Sequence, residues 1–168
     1  MDRYVFLDID GVVATFRMAN KIRWDLNPIC QNYLGKIIEE TGAKLVITSS
    51  WRMKNVEKTK ELLEQKGFRY CSSIVGVTIR AKNFLKPDSR LTIPMPQGIE
   101  VKHYINELVR FQSTPFREFE LGVDYNYVIL DDNDDMLLEQ ANHFVCIDCI
   151  TGLTEQTAQM AIEILMKK

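Results

Sequence analysis

The stretch RYVFLDIDGVV, Arg3 to Val13, constrains this chain more than any other. Tyr4-Val5-Phe6-Leu7 is an apolar run that reads as a buried strand, and it ends in two aspartates one residue apart, Asp8 and Asp10, followed by Gly11. Strand side chains alternate with period two, so continued extension points Asp8 and Asp10 the same way. Two carboxylates then converge at a strand's carboxyl end, where ligands bind in open α/β sheets. Like charges so close stay ionised together only beside a cation, and a hard divalent ion with oxygen ligands, Mg2+ above all, suits them. Gly11 lets the chain turn sharply away. Asp-x-Asp-Gly is also ordinary turn chemistry after a strand, so this stretch alone leaves both readings open.

At 168 residues, 46% of them hydrophobic, the chain is expected to form a single domain, residues 1–168, with a sizeable core. A net charge of −2 gives no global basic field for nucleic acid and leaves only a local patch as a route to it. No apolar run approaches the roughly 20 residues of a membrane span, and the start, MDRYVF, has no signal-peptide pattern, so the expected compartment is the cytoplasm. Cys146 and Cys149 have a Cys-x-x-Cys spacing without a second ligand pair, and with Cys30 and Cys71 they are expected to be buried, inert thiols. His103 and His143 stand alone.

Ala14 to Leu26, with Phe16, Arg17, Lys21, Arg23 and Trp24, reads as a short flap or small hairpin over the strand end. Asn27-Pro28 starts a helix, Asn27 as N-cap and Pro28 in the first turn. Ile29, Tyr33, Leu34, Ile37 and Ile38 mark its inward face, and Gly42 its end. A second strand, Lys44 to Thr48, runs into Ser49-Ser50-Trp51-Arg52. Hydroxyls followed by an arginine at a strand end suit a phosphate, though a Ser/Thr cap on the next helix explains them equally well. That helix covers about Asn55 to Lys66, and a third strand is expected near Tyr70 to Val75.

Gly76 to Gln97 is an irregular insertion with Pro87, Pro94, Pro96 and the basic Arg80, Lys82, Lys86 and Arg90. A helix from about Gly98 to Arg110 turns Val101, Tyr104, Ile105 and Leu108 inward, and Phe111 to Asn126 reads as a loop. Tyr127-Val128-Ile129-Leu130 is a second fully apolar strand, and it too ends in acid, Asp131-Asp132-Asn133-Asp134-Asp135. A last strand, His143 to Asp148, leads through Gly152 to a helix from about Thr154 to Met166. Strands alternating with helices imply right-handed crossovers and a parallel sheet covered on both faces. In such a sheet the Asp8/Asp10 pair, the Ser49 hydroxyl and the acids from Asp131 converge at one edge although far apart in sequence. That convergence outweighs any single motif.

These motifs, in this order, resemble the haloacid dehalogenase-like (HAD) hydrolase superfamily: Phe6-Leu7-Asp8-Ile9-Asp10-Gly11-Val12, then Leu45-Val46-Ile47-Thr48-Ser49-Ser50, then Asp131-Asp132-Asn133-Asp134-Asp135. TGAKLVITSSWR, YVILDDNDDM and TGLT more narrowly resemble a small HAD group found in Swiss army knife RNA-repair proteins. The resemblance implies an α/β, HAD-like Rossmannoid fold and a magnesium-dependent phosphatase. Asp8 would be the nucleophile forming an aspartyl-phosphate, and Asp10 the acid that protonates the leaving oxygen and then activates water. Mg2+ would bind Asp8, the Asp10 main chain and Asp132, with Asp131 or Asp135 positioning its waters. The second motif falls on Thr48 or Ser49, with Ser49 preferred; Gly11, Ser50 and Arg52 would face substrate. The group's basic third motif departs here. It has Arg-Gly before Glu-Ile where this chain reads Gln97-Gly98-Ile99-Glu100-Val101, and Lys102 is the nearest replacement, one helical turn on.

The two candidate insertions are short, so the expectation is a minimal or absent cap and an open site. An open site suits a phosphate carried on something large, and the resemblance points to a polynucleotide end. Arg17, Lys21, Arg23, Arg52, Arg80, Lys82 and Lys86 are the candidate cations for its backbone. The competing readings are a phosphatase for nucleotides or other small phosphomonoesters, and a catalytically weak HAD module that binds a phosphorylated ligand or partner. The sequence leaves the oligomeric state open.

Overall fold

Two faces of β1 carry two different cores, and the rest of the fold follows from that. In a computed structural model describing residues 1–16, 24–80, 96–112 and 124–167, β1 is Asp2–Leu7. Its Val5 and Leu7 face one core and its Tyr4 and Phe6 the other, as the period of two demands. Chain order continues with β2 (Ala14–Phe16), β3 (Trp24–Leu26), α1 (Pro28–Thr41), β4 (Lys44–Ile47) and α2 (Val56–Gln65). Then come β5 (Ile74–Val77), α3 (Gln97–Gln112), β6 (Tyr125–Asp131), β7 (Phe144–Cys146) and α4 (Glu155–Met166). Five strands form one parallel sheet in the order β5-β4-β1-β6-β7. This is the α/β, Rossmann-like architecture expected, with helices on both faces.

The larger core, with Leu34 and Ile37 of α1, Leu63 of α2 and Ala158, Ala161 and Leu165 of α4, lies on the Val5/Leu7 face. Val101 and Ile105 of α3 close the other face against Phe6, Val46 and Ile129. Phe6 meets Tyr104 and Tyr127 edge-on, each at a centroid separation of 5.7 Å. The chain leaves β1 in one direction toward β4 and β5, and returns by α3 to β6 on the other side. That reversal makes the carboxyl ends of β1, β4 and β6 the switch point at which open α/β sheets bind ligands.

Local signals explain most boundaries. Asn27 accepts a hydrogen bond from the Ile29 N–H, Pro28 opens α1, and Gly42 closes it at φ 66°. Asn55 and Thr154 cap α2 and α4 through side-chain oxygens. The third strand lies later than expected: Cys71–Ser73 is a 3-10 turn, the Tyr70 ring packs edge-on against Phe68, and β5 begins at Ile74. Phe111 and Gln112 extend α3, and Tyr125 and Asn126 belong to β6 rather than to a loop. On α1 the buried stripe is Cys30, Leu34, Ile37 and Thr41, which leaves Ile29 exposed.

The cysteines correct another expectation. Cys30 is buried and Cys71 half-buried, but Cys146 and Cys149 are exposed. On the edge strand β7, Val145 and Ile147 take the inward positions, which turns Cys146 outward. The ends of the 14–26 segment pair as an antiparallel hairpin, Ala14–Phe16 with Trp24–Leu26. Residues 17–23 and 81–95 lie outside the described residues, and with them the question of a cap and the cations Arg17, Lys21, Arg23, Lys82 and Lys86. No helix among the described residues is long and apolar enough to cross a membrane.

Candidate active site

Strand register places the acids. Leu7 is paired with Ile47 on one side and Leu130 on the other, so the next residues along, Thr48, Asp8 and Asp131, stand side by side. The Asp8 N–H donates to the Leu130 carbonyl at 3.0 Å, and the Thr48 N–H donates to the Leu7 carbonyl at 2.9 Å, fixing that alignment. Asp8, Asp131 and Asp132 each bring a carboxylate oxygen to within 4.8 Å of the others.

Burial sets the charge state of this group. It pushes the Asp8 carboxyl up to about 6, against hydrogen bonds from the Ser49 hydroxyl and the Ile9 N–H that favour the anion. Asp131 is fully buried and pushed up to about 7 by desolvation, with the Asp8 charge adding to it. Both Asp131 oxygens are held: Oδ1 accepts the Asn133 N–H at 3.0 Å, and Oδ2 accepts Gln97 Nε2 at 2.8 Å. Asp132 is also raised, chiefly by burial, and its carboxylate lies against Gly11. Gly11 has φ 74°, and a Cβ there would run into that carboxylate, so both backbone and space require glycine. Three mutually repelling carboxylates offering only oxygen suit a hard divalent cation.

Asp10 is tied from the neighbouring loop. Its Oδ2 accepts Trp51 Nε1 at 3.0 Å and Ser50 Oγ at 3.4 Å, while burial raises its carboxyl above the usual range. Its Oδ1 is buried with no hydrogen-bond partner. Of Thr48 and Ser49, it is the Ser49 hydroxyl that reaches Asp8; Thr48 Oγ1 is buried without a partner. Among the described residues, the buried side-chain polar atoms lacking a partner belong to Asp10, Thr48, Arg52 and Thr78. All four follow the carboxyl ends of β1, β4 and β5. Buried polar groups in folded proteins are paired in the great majority, so orphans gathered at one edge mark a place built for something else to bind.

Arg52 is only 7% exposed, and its guanidinium is already engaged. It donates to the Thr48 carbonyl, to the Ser49 carbonyl at 2.8 Å and to the Ile79 carbonyl at 3.0 Å, and it pairs with Glu100. Lys102 forms an ion pair with Glu139 at 2.8 Å and is half exposed. It lies five positions on from Gln97 along the helix, roughly 140° around the axis. Gln97, not Lys102, is therefore the α3 residue that meets the acids, and its backbone N–H also donates to Asp135 Oδ2 at 3.1 Å. Sequence reasoning assigned no role to Gln97 or Trp51. Gln97 carried a signal, since it stands where the resembling group has arginine.

Comparison with protein families matches residues 4–158 to the HAD domain in Swiss Army Knife RNA repair proteins. The chain belongs to that family. The match runs from β1 into α4, so every strand end that carries an acid or hydroxyl of this HAD domain lies inside it. No curated protein matches the chain. Membership makes a hydrolase of the phosphatase type the class of activity implied, and the Asp8–Asp131–Asp132 cluster is compatible with the Mg2+ that HAD domains typically use.

Proposed function

We propose that the chain is a magnesium-dependent phosphomonoester hydrolase working through an aspartyl-phosphate, with nucleic-acid end phosphates as its substrates. The observation that carries this reading is the meeting of Asp8, Asp131 and Asp132 within 4.8 Å at the switch point of the sheet. The RNA-repair association of the family supports the substrate class.

In this reading Asp8 attacks phosphorus, and the bond from phosphorus to the leaving oxygen breaks as Asp10 delivers a proton to that oxygen. Asp10, now ionised, takes a proton from water, which attacks the aspartyl-phosphate, releases inorganic phosphate and restores Asp8. The Ser49 hydroxyl, which donates to the Asp8 carboxylate, fixes the attacking oxygen. Mg2+ held by Asp8, Asp131, Asp132 and the Asp10 main chain would supply the charge that offsets repulsion between carboxylate and phosphate. Gln97 holds Asp131 in place, and Ser50 and Trp51 hold Asp10.

A second reading, a catalytically weak module that binds a phosphorylated ligand, draws on one observation: the α3 residue at the acids is the neutral Gln97, with Lys102 committed to Glu139. Magnesium-dependent phosphate release from a 3′-phosphorylated oligonucleotide separates the two. Release by the wild type and not by Asp8→Asn supports the hydrolase on nucleic-acid ends. Asp8-dependent release from nucleotides or aryl phosphates alone keeps the mechanism and removes the substrate class. Silence on every phosphoester favours the binding module.

A further inference from the structure

Beside the acids, an open cleft of about 650 Å³ is lined by Arg52, Lys54, Thr78 and Arg80, with Met53 and Ile79 as apolar surface. None of these residues bonds the Asp8–Asp131–Asp132 cluster, and the mechanism above uses none of them. Two observations make the cleft more than a gap between loops. Arg52 Nε and Thr78 Oγ1 are both buried without a hydrogen-bond partner among the described residues, in side chains 7% and 4% exposed. Burying a donor unpaired is costly, and both atoms belong to residues that line this cleft, so a ligand with acceptor oxygens seated there would account for them.

The charge identifies the ligand's sign. Among the described residues three cations line the cleft, and Glu100 offsets one of them through its pair with Arg52. Lys54 is exposed and makes no ion pair among the described residues. Arg80 donates to the Ser50 and Arg52 carbonyls, both at 2.8 Å, which fixes its guanidinium over the loop that carries the hydroxyls. Arg52 links the two places. It holds the main-chain carbonyl of Ser49, whose hydroxyl bonds Asp8, and it lines the cleft.

We propose that this cleft is a subsite for a second phosphate of the substrate, the internucleotide phosphodiester adjoining the end phosphate that Asp8 attacks. The inference rests on the hydrolase reading for which phosphate reacts. A diester oxygen accepts from Arg52 Nε and Thr78 Oγ1, while Lys54 and Arg80 balance its charge. Met53 and Ile79 give the intervening sugar an apolar surface that inorganic phosphate does not need. Phosphate contacts of this kind set register and orientation without reading sequence. The subsite therefore selects a strand end over a mononucleotide whatever its terminal base.

The test measures binding, so it does not depend on turnover. A fluorescent 3′-phosphorylated tetranucleotide is titrated into Asp8→Asn protein with magnesium present, over about 50 to 200 mM salt. Lys54→Ala, added to that background, is expected to make the dependence of log K on log salt shallower by about 0.7, one phosphate contact on a single strand. Thr78→Val is expected to weaken binding about tenfold, the loss of one charge-assisted hydrogen bond, without lowering the melting temperature, because the hydroxyl it removes has no partner in the free protein. Unchanged slope and affinity in both variants would overturn the subsite. Equal losses for the tetranucleotide and a 3′-mononucleotide would overturn it too, by assigning these residues to the reacting phosphate. Failure of the hydrolase reading is seen separately, as absence of phosphate release from every ester by the wild type.

Discussion

The indole of Trp51 donates to Asp10 Oδ2 at 3.0 Å and leaves Asp10 Oδ1 buried with no partner. One carboxylate oxygen is thus fixed by the loop after β4 while the other is reserved. In the proposed reaction Asp10 first gives and then takes a proton, and an anchored side chain with one oxygen uncommitted suits that.

Trp51→Phe keeps the ring and removes the N–H. Loss of one hydrogen bond to a charged group is expected to lower kcat by about tenfold for esters whose leaving groups need protonation. Aryl phosphates with acidic phenols should be nearly unaffected, because they leave without a proton. Comparing kcat across such a series checks this, and a uniform drop would assign Trp51 to folding alone.

Gly11→Ala forces a side chain into the left-handed region and against the Asp132 carboxylate. Backbone strain alone costs about 1–2 kcal/mol. The larger expected effect is on the metal, because Asp132 must move. Magnesium titration monitored by thermal stability should show weaker binding than wild type.

Asp8 and Asp131 titrate in the folded protein at about 6 and about 7, each above its value in the unfolded chain. Folding therefore binds protons between about pH 4 and 7, and by linkage the stability these groups contribute at low pH is lost as pH rises through their folded values. In the presence of a chelator the urea midpoint should fall from pH 5 to pH 8 by this contribution. Asp131→Asn should flatten that dependence, and added Mg2+ should restore wild-type stability at the higher pH.

Glu100→Gln removes the charge that Arg52 pairs with and leaves a buried guanidinium bonded to neutral acceptors. Removing one member of a buried pair costs about 3–5 kcal/mol. Urea unfolding checks this, and a loss below about 1 kcal/mol would mean that the carbonyls alone hold Arg52.

Asp8, Asp10, Asp131 and Ser49 were legible because parallel strands bring their ends to one edge, and an apolar run ending in acid announces itself without tertiary information. The sequence places Arg52 just after a strand end but does not show that its two terminal nitrogens are spent on Thr48, Ser49, Ile79 and Glu100. Those partners come from β4, β5 and α3, and no sequence spacing relates them. Charge alone makes Lys102 the nearest replacement for the resembling group's arginine, whereas helical phase assigns the acids to Gln97 and Lys102 to Glu139. The exposure of Cys146 depended on which face of an edge strand was covered, which alternation alone did not decide.

A covalent bond from Asp8 to phosphorus is open to direct detection by intact-protein and peptide mass measurement of Asp10→Asn. After incubation with magnesium and an aryl phosphate whose acidic phenol leaves without a proton, a phosphoryl adduct is expected on the peptide containing Asp8, because Asp10→Asn slows water activation but is not needed for that first step. The adduct should be missing when Asp8→Asn is also present. Steady phosphate release by the wild type, with no adduct on that peptide and with activity surviving Asp8→Asn, would contradict it.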